Sequence, residues 1–234
     1  MDLRRAENLD VTALSAAFDT HGRIQISGFL TDDTARALGR DLSLSGDWKL
    51  TFNRGTTVLD YDQAAYAQLD EDARRAIAHD IVDGGRRGFQ FCYDTIRETE
   101  AIAPDAPLRR FNRFMNSPDM LALVRQVTGF DTIERLDGHA SRYGPGQFLT
   151  THDDHIAGKG RRAAYVMNLS GQWHPDWGGL LQFFDARGNV VRAFTPAFNT
   201  LAVFAVPQAH SVSWVTPLAA NPRLAITGWM LEER

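Results

Sequence analysis

Tyr143-Gly144-Pro145-Gly146-Gln147-Phe148-Leu149-Thr150-Thr151-His152-Asp153-Asp154 begins with turn chemistry and ends as a strand carrying an H-x-D triplet. In a β-strand alternate side chains share a face, so the spacing predicts His152 and Asp154 on one side and Asp153 turned away. One imidazole and one carboxylate then converge. Far downstream stand His210 and, at the head of an apolar run, Arg223. A second imidazole delivered by a distant strand would complete two histidines and one carboxylate, the facial set that holds Fe(II) and leaves coordination positions open. Arg223 adds a fixed planar cation suited to a carboxylate, and an arginine heading Leu224-Ala225-Ile226 is costly to bury without an anionic partner.

Outward from this stretch, the texture after Phe130 is one of short strand-like runs at 133–143, 147–154, 162–169, 179–185, 190–194, 200–206, 210–215 and 223–231. Turns rich in Gly, Pro and Asn separate them, the pattern of an antiparallel sandwich or barrel. Before residue 130 the periodicity is mostly helical. Residues 11–18 have helical spacing, 24–30 alternate as a strand, and Thr31 stands where a helix N-cap belongs, ahead of the run 35–42. Residues 48–60 read as a hairpin or long loop and 64–81 as another helix, with 84–88 breaking the pattern at its glycines. Ser117 or Asp119 opens a helix that Gly129 closes. The expected fold is α+β, with a helix-rich support over 1–130 and a β-barrel core over 131–234 forming one domain.

The 234 residues are 44% hydrophobic, enough to bury a sizeable core, and the formal charge of −4 offers no general attraction for nucleic acid. The single cysteine, Cys92, excludes an internal disulfide framework and a cysteine-rich metal site. The opening residues 1–10 lack the apolar stretch of a secretory signal, and no run reaches the roughly 20 apolar residues of a membrane span. The expected compartment is the cytoplasm, without membrane or nucleic-acid partners.

The order Tyr143-Gly144-Pro145-Gly146, His152-x-Asp154, Trp177-Gly178-Gly179, Asn199-Thr200-Leu201, His210 and Arg223 through Trp229 resembles the Fe(II)/2-oxoglutarate-dependent dioxygenases, and within them the prolyl 4-hydroxylase-like branch. The resemblance covers about residues 133–231. It implies a double-stranded β-helix, or jelly-roll, with His152, Asp154 and His210 as iron ligands. Arg223 then pairs with the far carboxylate of 2-oxoglutarate, and Tyr143 matches a tyrosine whose hydroxyl can bond this co-substrate. A second co-substrate tyrosine of some relatives falls near Tyr165 to Asn168. Without a gap after Arg162 it falls on Asn168, a departure from the pattern that leaves the contact open. The implied activity consumes O2, releases succinate and CO2, and hydroxylates an unactivated C–H, with ascorbate as a candidate reductant. The substrate it implies is a prolyl residue in a protein or peptide, including ribosomal or translation proteins. Free proline, another amino acid or a small metabolite are alternatives, as is a non-catalytic barrel that binds metal or 2-oxoglutarate.

Competing readings come from the residues themselves. His155 offers a further imidazole, but strand alternation turns it away from Asp154, toward a substrate loop or solvent. A zinc hydrolase could also use two histidines and a carboxylate, yet it has no need of Arg223 and would want a general base that the chain does not offer. His21, His79 and His139 are expected to be structural or exposed, and His174 to lie in a loop. Val212 and Trp229 are expected to wall the pocket, and Trp48, Phe52, Arg54, Trp173 and Trp177 could border a peptide groove.

Overall fold

In the computed structural model, which describes residues 2–232, the Asp10 carboxylate accepts from the Ala13 N–H to start α1 (Val11–His21), and Gly22 closes it at φ +63°. β1 (Arg23–Ser27) follows, then α2 (Asp32–Ser43) from Thr31, whose hydroxyl bonds that of Thr34 rather than a helix N–H. The stretch 48–60 is a hairpin of β2 (Lys49–Arg54) and β3 (Thr57–Asp62). The helix expected over 64–81 is two helices, α3 (Gln63–Ala67) and α4 (Glu71–Arg87), because Asp70 accepts from the Ala73 N–H and restarts the spiral. Nor do Gly84 and Gly85 break α4. A Cβ on Gly84 would meet the Gln90 amide at 2.9 Å, so the glycine serves close packing inside a continuous helix.

β4 (Phe91–Ile96), α5 (Pro107–Met115) and α6 (Pro118–Thr128) complete the first half. Ser117 caps α6 by accepting from the Met120 N–H, and Gly129 ends it, both as the sequence predicts. The strands that follow are β5 (Arg135–Leu136), β6 (His139–Tyr143), β7 (Phe148–His152), β8 (Arg161–Asn168), β9 (Leu181–Phe184), β10 (Val190–Phe194), β11 (Thr200–Ala205), β12 (His210–Val212) and β13 (Arg223–Leu231).

All pairings are antiparallel and run in the order β1-β11-β8-β13-β6-β4-β7-β12-β9-β10, a nearly closed jelly-roll barrel. β4 joins its two sheets, pairing through Phe91 and Cys92 with β7 and through Asp94, Thr95 and Ile96 with β6. This corrects the division at residue 130. β1 and β4 are barrel strands, and β2 extends the sheet from β4. The sequence hid β4 because its burial pattern is not alternating.

β8 shows how one strand serves two layers. Ala163, Tyr165 and Met167 face the helices and pack with Phe29, Leu38, Phe111 and Met115. Ala164 and Val166 face the barrel interior with Phe183, Phe194 and Phe204. Asn199, held at φ +56°, anchors the layers: its amide accepts from the Leu30 N–H at 2.9 Å and donates to the Leu30 carbonyl at 2.8 Å.

Candidate metal centre and co-substrate cavity

His152 is the last residue of β7 and pairs across the sheet with His210, the first of β12, so register alone sets the imidazoles side by side with centroids 4.1 Å apart. Asp154 joins them by a different route from the one the spacing predicts. β7 ends at His152, and Asp154 has φ +62°, so a turn rather than strand alternation brings its carboxylate back. Its two oxygens each lie 3.5 Å from one imidazole Nε2, Oδ1 from His152 and Oδ2 from His210. The three ligand atoms lie within 4.8 Å of one another. Strand alternation therefore cannot be what keeps His155 out of the set. His155 is nonetheless exposed, its N–H bonded to the Asp153 carboxylate, although it borders the cavity.

The protonation pattern suits a metal. His152 Nδ1 lies 3.0 Å from the Thr150 carbonyl and His210 Nδ1 2.8 Å from the Gln208 carbonyl. A carbonyl can only accept, so each Nδ1 carries the proton and each Nε2 presents its lone pair toward Asp154. Burial, then repulsion from His152, pushes the His210 pKa down to about 4, which keeps it neutral at physiological pH. Burial alone would raise the Asp154 pKa, but in the metal-free protein a hydrogen bond from His152 and the positive charge of the protonated imidazoles outweigh it, and the net shift is downward. Arg161 supports Asp154 from behind, donating to its backbone carbonyl at 3.0 Å while its guanidinium lies 3.5 Å over the Trp229 ring.

The centre opens into a cavity of about 500 Å³ whose walls include Val166, Leu181, Phe204, Val212 and Trp229. Arg223 closes the inner side. It is 2% exposed, its Nε has no hydrogen-bond partner, and its guanidinium lies 5.1 Å over the Tyr143 ring. Among the described residues no carboxylate comes within ion-pair distance of it. A buried cation left in this state points to an anion that arrives from outside the chain. Gly179, at φ +63°, leaves it room, since a Cβ there would lie 3.2 Å from Arg223 Cδ.

Tyr143 lines this cavity, as do Val212 and Trp229. Asn168 does not. Its amide donates to the Thr200 hydroxyl at 3.1 Å behind the wall, and its Oδ1 is buried without a partner. Tyr165 is on the opposite face of β8, its hydroxyl donating to the Asp137 carbonyl. Among the further residues that line the cavity are Tyr93, Ser141 and His139. His139, expected to be structural or exposed, is half-buried in the cavity wall. It shares with Ser141 and Tyr143 the inward face of β6, so period-two counting back from Tyr143 would have found both. Tyr93, stacked 4.9 Å from Tyr143, lies on the strand that the sequence concealed, and burial pushes its pKa up to about 12.

The proposed groove aromatics fall elsewhere. Trp48 and Phe52 are buried core, Arg54 pairs with Asp80, and Trp173 and Trp177 pack on each other 5.2 Å apart outside the cavity walls. His174 is exposed beside Asp176, and His21 and His79 are exposed.

Fold and site together define a jelly-roll core with a candidate metal centre: a barrel with two histidines and a carboxylate at its mouth and a buried cation beyond them. Residues 138–231 match the family described as the 2OG-Fe(II) oxygenase superfamily. The chain is 31% identical over 118 residues to a mouse protein named prolyl 3-hydroxylase OGFOD1, a match spanning 47% of this chain and 21% of that one. The chain thus spans about a fifth of the length of the curated relatives it matches. A Pseudomonas putida prolyl-4-hydroxylase superimposes with a TM-score of 0.62 at 21% identity, covering 95% of this chain and 99% of that one. A Trichoplax adhaerens prolyl hydroxylase, solved with a hypoxia inducible factor peptide fragment, gives 0.63 at 16%, covering 95% and 89%. At these identities the structures establish a shared fold.

The metal and the organic acid of the superfamily both fit. Two bare Nε2 atoms and a carboxylate form the donor set, and the unpartnered Arg223 with the Tyr143 hydroxyl suits a dicarboxylate.

Proposed function

We propose that this chain is an Fe(II)- and 2-oxoglutarate-dependent hydroxylase acting on a prolyl residue in an extended protein or peptide segment. The observation that carries the enzymatic half is the buried, unpaired Arg223 in the same cavity as His152, Asp154 and His210. A zinc hydrolase has no use for it. The names of the mouse relative and of the two solved structures support the prolyl half.

When bound, the iron and 2-oxoglutarate supply an oxidising equivalent, with the acid decarboxylated to succinate and CO2 while one oxygen atom of O2 enters succinate and the other a substrate C–H. The chain's own residues do the rest. His152, Asp154 and His210 would hold the metal at the wall of the cavity. Arg223 orients the acid through its far carboxylate, with the Tyr143 and Tyr93 hydroxyls and Ser141 as further donors. Asn168, which does not line the cavity, has no direct part in this assignment. Val166, Leu181, Phe204 and Val212 keep water from the reacting centre. Ascorbate as the reductant, a ribosomal or translation-factor substrate and a cytoplasmic setting complete the proposal.

The test is anaerobic reconstitution with Fe(II) and 2-oxoglutarate, then oxygen exposure with succinate quantified, followed by proline-containing peptides read by mass for one added oxygen. Succinate formation lost in His152→Ala and Arg223→Ala is the expected outcome. Succinate without any peptide or proline product would move the substrate to another small molecule. Activity that persists without 2-oxoglutarate but requires Zn(II) would overturn the reading.

A further inference from the structure

Beside the metal cavity lies a second one, of about 690 Å³, and the two share His139 and Trp229 as a common lip. That volume is in the range of ligand clefts. The walls of the two differ in chemistry. Beyond the lip the apolar residues give way to Arg97, Arg109, Arg113, Asn112, Glu98 and Asp137.

Helix α5 is built for this surface. Arg109, Asn112, Arg113 and Asn116 recur at helical spacing along the cavity, while Leu108, Phe111 and Met115 bury the opposite face. Three arginines thus stand against two carboxylates in a chain whose formal charge is −4. Some of this charge is already matched: Arg97 pairs with Asp60 at 2.6 Å, and Arg109 lies 3.7 Å from Glu98. Arg113 is exposed and donates to the Pro104 carbonyl, with no carboxylate partner among the described residues. Asn112 Oδ1 and Arg109 Nε are enclosed without hydrogen-bond partners, although the Asn112 amide N–H groups are used by Glu98 and the Gly138 carbonyl. The cavity therefore offers a free cation, Arg113, in a site that adjoins the metal cavity through His139 and Trp229.

We propose that this cavity extends the substrate groove and binds an acidic side chain of an extended polypeptide whose target residue lies over the metal. Arg113, with Arg109 beside it, pairs with the substrate carboxylate. The assignment rests on the peptide-hydroxylase reading.

The experiment uses the full chain loaded with Mn(II) and 2-oxoglutarate under nitrogen, so that binding is read without turnover. Dye-labelled proline peptides carrying Glu, Ser or Lys on either side of the proline are titrated by fluorescence anisotropy. The Glu peptides should bind roughly three- to tenfold tighter than the Lys peptides, a preference that weakens as salt rises. Arg113→Glu should abolish or reverse it. Arg187→Glu, an exposed turn position away from the groove, makes the same charge change and should leave it intact. Equal affinity for all flanks, or a preference equally lost in both variants, would sink the inference. Peptide turnover measured separately judges the other reading: acidic peptides that bind through Arg113 yet are never hydroxylated keep the groove and refute prolyl chemistry. Hydroxylation indifferent to flanking charge does the reverse.

Discussion

Replacing Arg223 by methionine should make the ligand-free protein more stable and 2-oxoglutarate-blind. Arg223 is 2% exposed, its Nε is unsatisfied, and burial lowers its pKa, so the fold carries the desolvation of a cation without an internal counter-ion. Exchanging a buried charge for an apolar side chain of similar length commonly gains about 1–4 kcal/mol. Taking about 2 kcal/mol, a domain of this size should melt roughly 4–8 °C higher. In the wild type, 2-oxoglutarate at about a hundred times its dissociation constant, with Mn(II) present, should add about 2.7 kcal/mol of its own. The Arg223→Met variant would forfeit that gain, because losing one side of a buried charge pair costs about 2–5 kcal/mol of binding. Differential scanning fluorimetry of both proteins, with and without the acid, reads both halves. A variant that is destabilised without ligand would mean that Arg223 is held by contacts inside the fold. One that still gains stability from 2-oxoglutarate would remove it from the co-substrate site.

Gly179→Ala should weaken 2-oxoglutarate binding without touching the metal set, since its Cβ would crowd Arg223 Cδ, Trp173 and Val215 at 3.2 Å; isothermal titration should show a loss of about tenfold, of the size expected for a displacement costing about 1–2 kcal/mol. Asn199→Ala should cost about 2–3 kcal/mol in urea unfolding with metal affinity retained, because it strands the buried Leu30 N–H and carbonyl. Acid should destabilise the metal-free protein early. His210 has a folded pKa of about 4 against an ordinary 6.5, so the unfolded chain takes up the proton first and stability falls as pH drops through that window, by up to about 3 kcal/mol. Urea midpoints for wild type and His210→Gln between about pH 7 and 4.5 check this, and parallel profiles would refute it.

Much of the barrel is legible in the sequence because its later strands are short, apolar and punctuated by turn residues. The boundaries of β10 and β13 follow directly from the text, and α6 announces itself by Ser117 and Gly129. β4 is illegible because a strand shared by two sheets is largely buried on both faces and loses the period-two signal. With it went Tyr93.

The candidate metal ligands illustrate the same divide. The sequence by itself determined which residues have the right chemistry: two imidazoles, a carboxylate, and an arginine too isolated among apolar neighbours to be idle. Only the tertiary structure decided how they meet. His152 and His210 are neighbours because β7 and β12 pair in that register, and Asp154 turns back through a left-handed backbone that strand logic excludes. Likewise, the resemblance places a co-substrate contact near Tyr165 to Asn168, yet neither lines the cavity: Asn168 is behind its wall and Tyr165 on the far face of β8. A one-dimensional pattern records residue type and local period. It does not record the long-range register and sheet curvature that decide which of two faces looks inward, and those are settled only when the whole barrel closes.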